Sequence, residues 1–240
     1  MFEREHHRNV ALVLQGLDPA ALAARRCYFG GGTAMALRYG EYRESVDIDF
    51  MVSDAHGYRD LRQMLGGVHG LAPLMREGLH LQLAREVITD RYGIRTQIRA
   101  GASVIKFEIV LEGRIELDEP GPQDAVCGIA TLTSRDLAAE KLLANADRWA
   151  DDAVFSRDLI DLAMLDEKPE VLRAGCAKAE AAYGAAIRKS LDQAVTKLRS
   201  RDHRLEDCMT AMRIDSISKA QLWHRIRRVH RVLVKAVDEG

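Results

Sequence analysis

Three consecutive glycines, Gly30, Gly31 and Gly32, close a short apolar run at residues 27–29 and open the helix-prone stretch "TAMALRY". A strand that feeds a helix through glycines lets the backbone approach a ligand closely. The N–H groups at the helix start then favour an anion such as phosphate. Gly40 ends that helix. Next comes "SVDIDFMV", whose alternation reads as a strand with Val46, Ile48 and Phe50 on one face and Asp47 and Asp49 on the other. Two carboxylates on one strand face suit a hard divalent cation, Mg²⁺ or Mn²⁺, that bridges to triphosphate oxygens. A triple glycine alone is usually a turn, and a lone Asp-x-Asp is usually a solvated strand face. In this order they form a kit for nucleotidyl or phosphoryl transfer from an NTP. Neither a Gly-Lys-Ser/Thr phosphate loop nor a Gly-x-Gly-x-x-Gly dinucleotide fingerprint is present.

The rest of the chain suggests where such a site would sit. Residues 3–16 read as an amphipathic helix, and Asp18 followed by Pro19 reads as the cap and first residue of a second. Between residues 79 and 117 the β-branched runs "LHLQLAREVITD", "GIRTQIRA", "SVIKFEIVLEG" and "RIEL" predict a meander of strands, and "CGIATL" one more short strand. Thr133 opens a capping pattern, after which the pattern is helical to the end, with a break near Lys168 and Pro169. The expected fold class is α+β. A mixed β-sheet with flanking helices would span residues 1–130, and an all-helical half, residues 131–240, would complete an active-site cleft. Within "SVIKFEIVLEG", Glu108 shares a face with Lys106. It is the candidate third metal carboxylate or general base, with a solvated Lys/Glu pair as the plain alternative.

Composition excludes several classes. The 240 residues suit one large or two small domains, and 47% hydrophobic content supports a core. No apolar run reaches the ~18 residues needed to span a membrane, and the charged N-terminus lacks a signal pattern, so a cytoplasmic location is expected. A net charge of −1 means that any nucleic-acid contact needs a local basic surface. The four cysteines are scattered without a Cys-x-x-Cys pair, which favours buried thiols over zinc.

"FGGGTAMALRYGEYRESVDIDF" resembles the signature of the nucleotidyltransferase superfamily with the DNA polymerase β-like fold. More narrowly, it is similar to the AbiEii/AbiGii toxin family. There the glycine-threonine motif is followed by an arginine, a small hydroxyl residue and Asp-hydrophobic-Asp-Phe, matched by Arg43, Ser45, Asp47, Ile48, Asp49 and Phe50. The later segment "LAAEKLLANADRWADDAVFSRDLIDL" resembles the family's helical Glu-Lys and Arg-Asp-x-x-Asp-Leu motifs. Lys141 fits the lysine, Asp158 the aspartate, and Arg157 and Asp161 complete the pattern. By periodicity, Lys141, Asn145 and Arg148 form one polar helix stripe, which alone reads as a salt-bridge layer between helices.

The resemblance implies a toxin of a toxin–antitoxin or abortive-infection system that transfers a nucleotide from an NTP to an RNA acceptor, expected to be a tRNA 3′ end. Its antitoxin would be encoded nearby. Gly31, Gly32, Thr33, Arg43, Ser45 and Lys141 would bind the nucleotide. Asp47, Asp49 and Glu108 would bind metal. Asp47, Asp49, Lys141, Asp158 and Glu108 would serve catalysis. The alternatives are a nucleotidyltransferase acting on a protein side chain or a small molecule, and a non-catalytic nucleotide-binding module. The stretch "KAQLWHRIRRVHRVLVK", residues 219–235, reads as a basic helix with Leu222, Ile226, Val229 and Leu233 buried. Arg225, Arg228 and Arg231 are its candidate RNA contacts.

Overall fold

The computed structural model describes residues 2–234. The chain divides into two compact units, Met1–Thr133 and Ser134–Gly240.

The first unit runs α1 (Glu5–Gly16), α2 (Pro19–Ala23), β1 (Tyr28–Gly30), α3 (Gly31–Arg38), β2 (Ile48–Val52), α4 (Ala55–Leu65), β3 (Gln82–Thr89), β4 (Gly93–Ala100), β5 (Ser103–Leu111), β6 (Ala125–Val126) and β7 (Ile129–Ala130). Five strands make one mixed sheet in the order β1-β2-β5-β4-β3. The β2–β5 pair is parallel, whereas β1–β2, β4–β5 and β3–β4 are antiparallel. Alternation decides which face is buried. Ile48, Phe50 and Val52 of β2, Ile105, Phe107 and Ile109 of β5, and Ile94 and Ile98 of β4 join Val10, Leu14 and Leu61 of the helices in one core. Phe29, Phe50 and Phe107 stack across β1, β2 and β5 with ring centroids 5.5 and 5.6 Å apart. Each fully buried phenylalanine contributes about 1.5–3 kcal/mol through burial. The opposite face is left polar, as antiparallel ladders allow. Asp18 caps α2 as its sequence suggests, its Oδ1 accepting from Ala20 N at 2.9 Å.

The structure departs from the sequence pattern in three places. First, β2 begins at Ile48, so Val46 and Asp47 precede it. Val46 is 46% exposed rather than buried with Ile48 and Phe50. Its ladder to β5 starts only at the Ile48–Phe107 pair. Second, residues 114–117 form no strand. Glu112 turns back to accept from Arg114 N at 2.7 Å, and Leu117 N donates to Ser53 Oγ at 2.9 Å. Ile115 and Leu117 are nevertheless buried. Third, the expected single strand at residues 127–132 is a small hairpin, β6–β7. Cys127 and Gly128 fill its turn with φ of 54° and 81°, the two positive values of a tight two-residue hairpin turn.

The second unit is helical: α5 (Ser134–Arg148), α6 (Arg157–Met164), α7 (Pro169–Tyr183), α8 (Ala186–Ser200), α9 (Arg204–Ala211) and α10 (Lys219–Leu233). Pro169 is the first residue of α7, where a ring without an N–H costs nothing. A capping box of Ser218 and Gln221 starts α10, which buries Leu222, Ile226, Val229 and Leu233 as its spacing predicts. Cys27, Cys176 and Cys208 are buried free thiols, and Cys127 is half-buried. Burial pushes the Cys176 thiol up to about 11. Among the described residues no helix is long and apolar enough to cross a membrane.

Candidate active site

Sheet register gathers the motif residues. Gly30 of β1 pairs with Asp49 of β2, Asp49 with Glu108 of β5, and Glu108 with Arg95 of β4. These four residues form one row across the sheet. Registered neighbours point to the same face, so Asp49, Glu108 and Arg95 share the polar side. The glycine turn stands at the end of the row, because α3 begins at Gly31, directly after β1.

That turn needs glycine for two separate reasons. Gly31 has φ of +67°, in the left-handed region, and a Cβ there would lie 2.6 Å from Asp49 Oδ2. At Gly32 a Cβ would run into the Arg43 guanidinium and come within 3.3 Å of Ser45 Oγ. The first backbone N–H groups of α3 have no partner inside the helix. Gly30, its N-cap, offers no side-chain cap. Backbone donors, a helix dipole and a carboxylate therefore meet without a side chain between them. Gly31→Ala should cost about 1–2 kcal/mol in backbone strain and displace the Asp49 carboxylate. We expect nucleotide affinity to fall far more than the urea-unfolding midpoint, measured on the same preparation.

The loop after α3 braces the turn. Thr33 is buried, and its hydroxyl donates to Ser45 Oγ at 2.8 Å. This hydroxyl is thus spent on the loop, and what Thr33 offers an anion is its backbone N–H. Arg43 is buried, with Nη1 donating to Glu44 O at 2.9 Å and the guanidinium pressed on Gly32.

Beside the turn, charges converge. Lys106 Nζ lies 2.7 Å from Glu108 Oε2, and Arg95 Nη1 lies 3.9 Å from Glu108 Oε1. The hydrogen bond to Glu108 holds the Lys106 ammonium above the usual lysine range, with further support from the charges of Glu108, Asp49 and Asp47. Asp47, Asp49 and Glu108 thus act on one cation. Asp47 is half-buried and lies just before β2, not within it. Among the described residues no three His, Cys, Asp or Glu side chains form a ready-made metal cluster. Glu108 Oε2 is engaged by Lys106. The donor set still fits a hard divalent ion: carboxylate oxygens on one face, beside a glycine turn that leaves room for phosphate. Arg95 was not legible as a neighbour of this site, because its place depends on the β4–β5 register.

In the helical unit, Lys141 of α5 and Asp158 and Asp161 of α6 meet in a buried charge cluster. Lys141 Nζ lies 2.6 Å from Asp161 Oδ2 and 3.4 Å from Asp158 Oδ1. Arg148 closes the cluster with a fork on Asp158 at 2.7 and 2.9 Å. Asn145 is buried between the two cations in sequence, and its Nδ2 makes no hydrogen bond in the protein. Arg157 is the first residue of α6.

The family model for the nucleotidyl transferase AbiEii toxin, a type IV toxin–antitoxin system, matches residues 12–231. The chain belongs to the AbiEii family. It is therefore a nucleotidyltransferase of the toxin class, from a family whose systems pair toxin with antitoxin. No curated protein matches the chain. Among solved structures, JHP933 from Helicobacter pylori is similar over 100% of this chain and 97% of its own, at 17% identity and a TM-score of 0.50. A second H. pylori protein, provisionally assigned as a nucleotidyltransferase, is similar over 96% of both chains at 18% identity, with a TM-score of 0.49.

In this AbiEii-family chain, the basic helix α10 is partly committed to its own unit. Arg228 pairs with Asp166 at 2.8 Å and donates to Glu167 O at 2.7 Å, and Arg225 lies 3.5 Å from Asp166. Arg231 is exposed, as are His224 and Arg227, which fall on the same outward side. Lys235 lies outside the described residues.

Proposed function

We propose that this AbiEii-family nucleotidyltransferase moves a nucleotidyl group from an NTP to the 3′ end of an RNA, with tRNA as the acceptor, and that the reaction depends on Mg²⁺ or Mn²⁺. The observation that carries the site is the row Gly30–Asp49–Glu108 with the Gly31 turn fitted against Asp49. The backbone at Gly31, Gly32 and Thr33 cradles the triphosphate, and Arg43 and Ser45 shape that cradle. Asp47 and Asp49 hold the divalent ion, which when bound neutralises triphosphate charge. An acceptor hydroxyl attacks the α-phosphorus, the bond to the β-phosphate oxygen breaks, and pyrophosphate leaves. Glu108 receives the hydroxyl proton, with Lys106 Nζ at 2.7 Å orienting its carboxylate, and is the further carboxylate available to metal. Lys141 supplies positive charge for the phosphates. Asp158, at 3.4 Å, orients that lysine. Of the three arginines expected to contact RNA, Arg231 is the one best placed for phosphate, since Arg225 and Arg228 also serve Asp166.

The test of the acceptor is to incubate purified protein with total tRNA, Mg²⁺ and each α-labelled NTP in turn. Label on tRNA with one NTP supports the reading and names the donor. Label on protein or a small acceptor instead keeps the chemistry and removes RNA as the acceptor.

A further inference from the structure

α1 opens with two adjacent histidines, His6 and His7, that play no part in the chemistry above. His7 is completely buried. Its Nδ1 lies 2.7 Å from Glu41 Oε1, and its Nε2 lies 3.2 Å from the backbone N of Ser45. A backbone amide can only donate, so Nε2 accepts and the ring proton sits on Nδ1, shared with Glu41. Burial lowers the imidazole's proton affinity and outweighs the opposing pull of Glu41. The ring is therefore held in the neutral form that this pattern requires. Glu41 is gripped in turn by the backbone N–H groups of Glu3 and Arg4 at 2.7 and 3.2 Å. Next door, His6 Nε2 lies 2.9 Å from Val46 O.

The first turn of α1 thus fastens two consecutive residues, Ser45 and Val46, immediately before Asp47. Ser45 is also the residue that accepts the Thr33 hydroxyl at the start of α3. Hydrogen bonds link Glu41, His7 and the Ser45 backbone and, through the Ser45 hydroxyl, Thr33, from a half-buried carboxylate to the start of α3. A buried histidine that served packing alone would not need both ring nitrogens aimed at the loop bearing Arg43, Ser45 and Asp47.

We propose that His7, oriented by Glu41, is a positioning residue for nucleotide binding: it fixes the Ser45 backbone and thereby sets the Arg43–Asp47 segment against the glycine turn. This rests on the nucleotide site proposed above. Partners that orient ligating groups typically change affinity about 10–100-fold when removed.

The experiment is calorimetric titration of each of the four NTPs with Mg²⁺ into wild type, His7→Leu, His7→Gln and Glu41→Ala, with urea unfolding of each. His7→Leu is expected to weaken binding of the preferred NTP about 10–100-fold. His7→Gln, whose side-chain oxygen can accept from Ser45 N, is expected to recover most of that loss while remaining no more stable than His7→Leu. Glu41→Ala leaves the imidazole present but unoriented and should weaken binding about tenfold. It also decides the matter should His7→Leu fail to fold. Wild-type binding with His7→Leu or Glu41→Ala binding equally well overturns the positioning role alone. Binding that tracks stability across all variants, without recovery by His7→Gln, also overturns it. A wild type that binds no NTP overturns the nucleotide site itself, and the positioning role with it.

Discussion

Replacing Lys141 by methionine is expected to destabilise the helical unit by about 3–5 kcal/mol, the usual cost of removing one partner from a buried ion pair. The side chains are similar in length, so packing is largely kept and the change is electrostatic. Lys141 Nζ sits 2.6 Å from Asp161 and 3.4 Å from Asp158, and both aspartates are buried. Burial drives the Asp158 carboxyl upward, but the Lys141 charge and the Arg148 fork overcome it and hold it below the ordinary range. A carboxyl depressed in the folded state stabilises the protein above its unfolded pKa, and that contribution is lost as pH falls through the folded value. Without Lys141 the depression shrinks, so the loss begins at higher pH. Urea unfolding at neutral pH and acid unfolding monitored by circular dichroism check the prediction. The variant should unfold in less urea, and its acid transition should move to higher pH. An unchanged urea midpoint would show that the cluster contributes little. An inactive Lys141 variant therefore has to be shown folded before its activity is read as chemistry.

Asp49→Asn should do the opposite: cripple the enzyme and spare the fold. Asparagine keeps the shape that Gly31 packs against and leaves the pairing with Gly30 and Glu108 intact. What it removes is one of the two negative charges of the proposed divalent-ion site. Loss of one such electrostatic contact in a reaction centre costs on the order of 10²–10³-fold in turnover. Stability should change by less than about 1 kcal/mol, because no large apolar contact is lost. Single-turnover transfer from α-labelled NTP, beside urea unfolding, measures both. Retention of more than about a tenth of wild-type activity would remove Asp49 from the metal site.

Much of this was legible in the sequence because it depends on local pattern. The glycine-to-helix step, the alternation that buries Ile48 and Phe50, the Asp18 cap and the apolar stripe of α10 all follow from short-range rules. What failed depended on partners distant in the chain. The alternation predicts the strand containing Asp49 from Ser45, three residues before it begins, because its start is set by where β5 begins to pair with it. "RIEL" has the composition of a strand, but Glu112 and Ser53 satisfy its backbone by side-chain bonds instead. Lys141 lies on a polar helix stripe that reads as a salt-bridge layer between helices, but which acids it meets is set by the packing of α6. It is buried because two aspartates of α6 arrive opposite it. His7 looked like a residue of an amphipathic helix, and only tertiary packing brings Glu41, 34 positions away, to its ring. Arg225 and Arg228 looked free for RNA because Asp166 is some sixty positions away in the chain.

The most direct test of the central claim is anomalous scattering from crystals grown with Mn²⁺ and a non-hydrolysable NTP analogue. The account predicts a manganese peak at roughly the 2.0–2.2 Å coordination distance of a hard divalent ion from oxygens of Asp47, Asp49 and the triphosphate, with the phosphates against the backbone of Gly31 and Gly32. Manganese and nucleotide bound elsewhere, with these carboxylates uncoordinated, would contradict it.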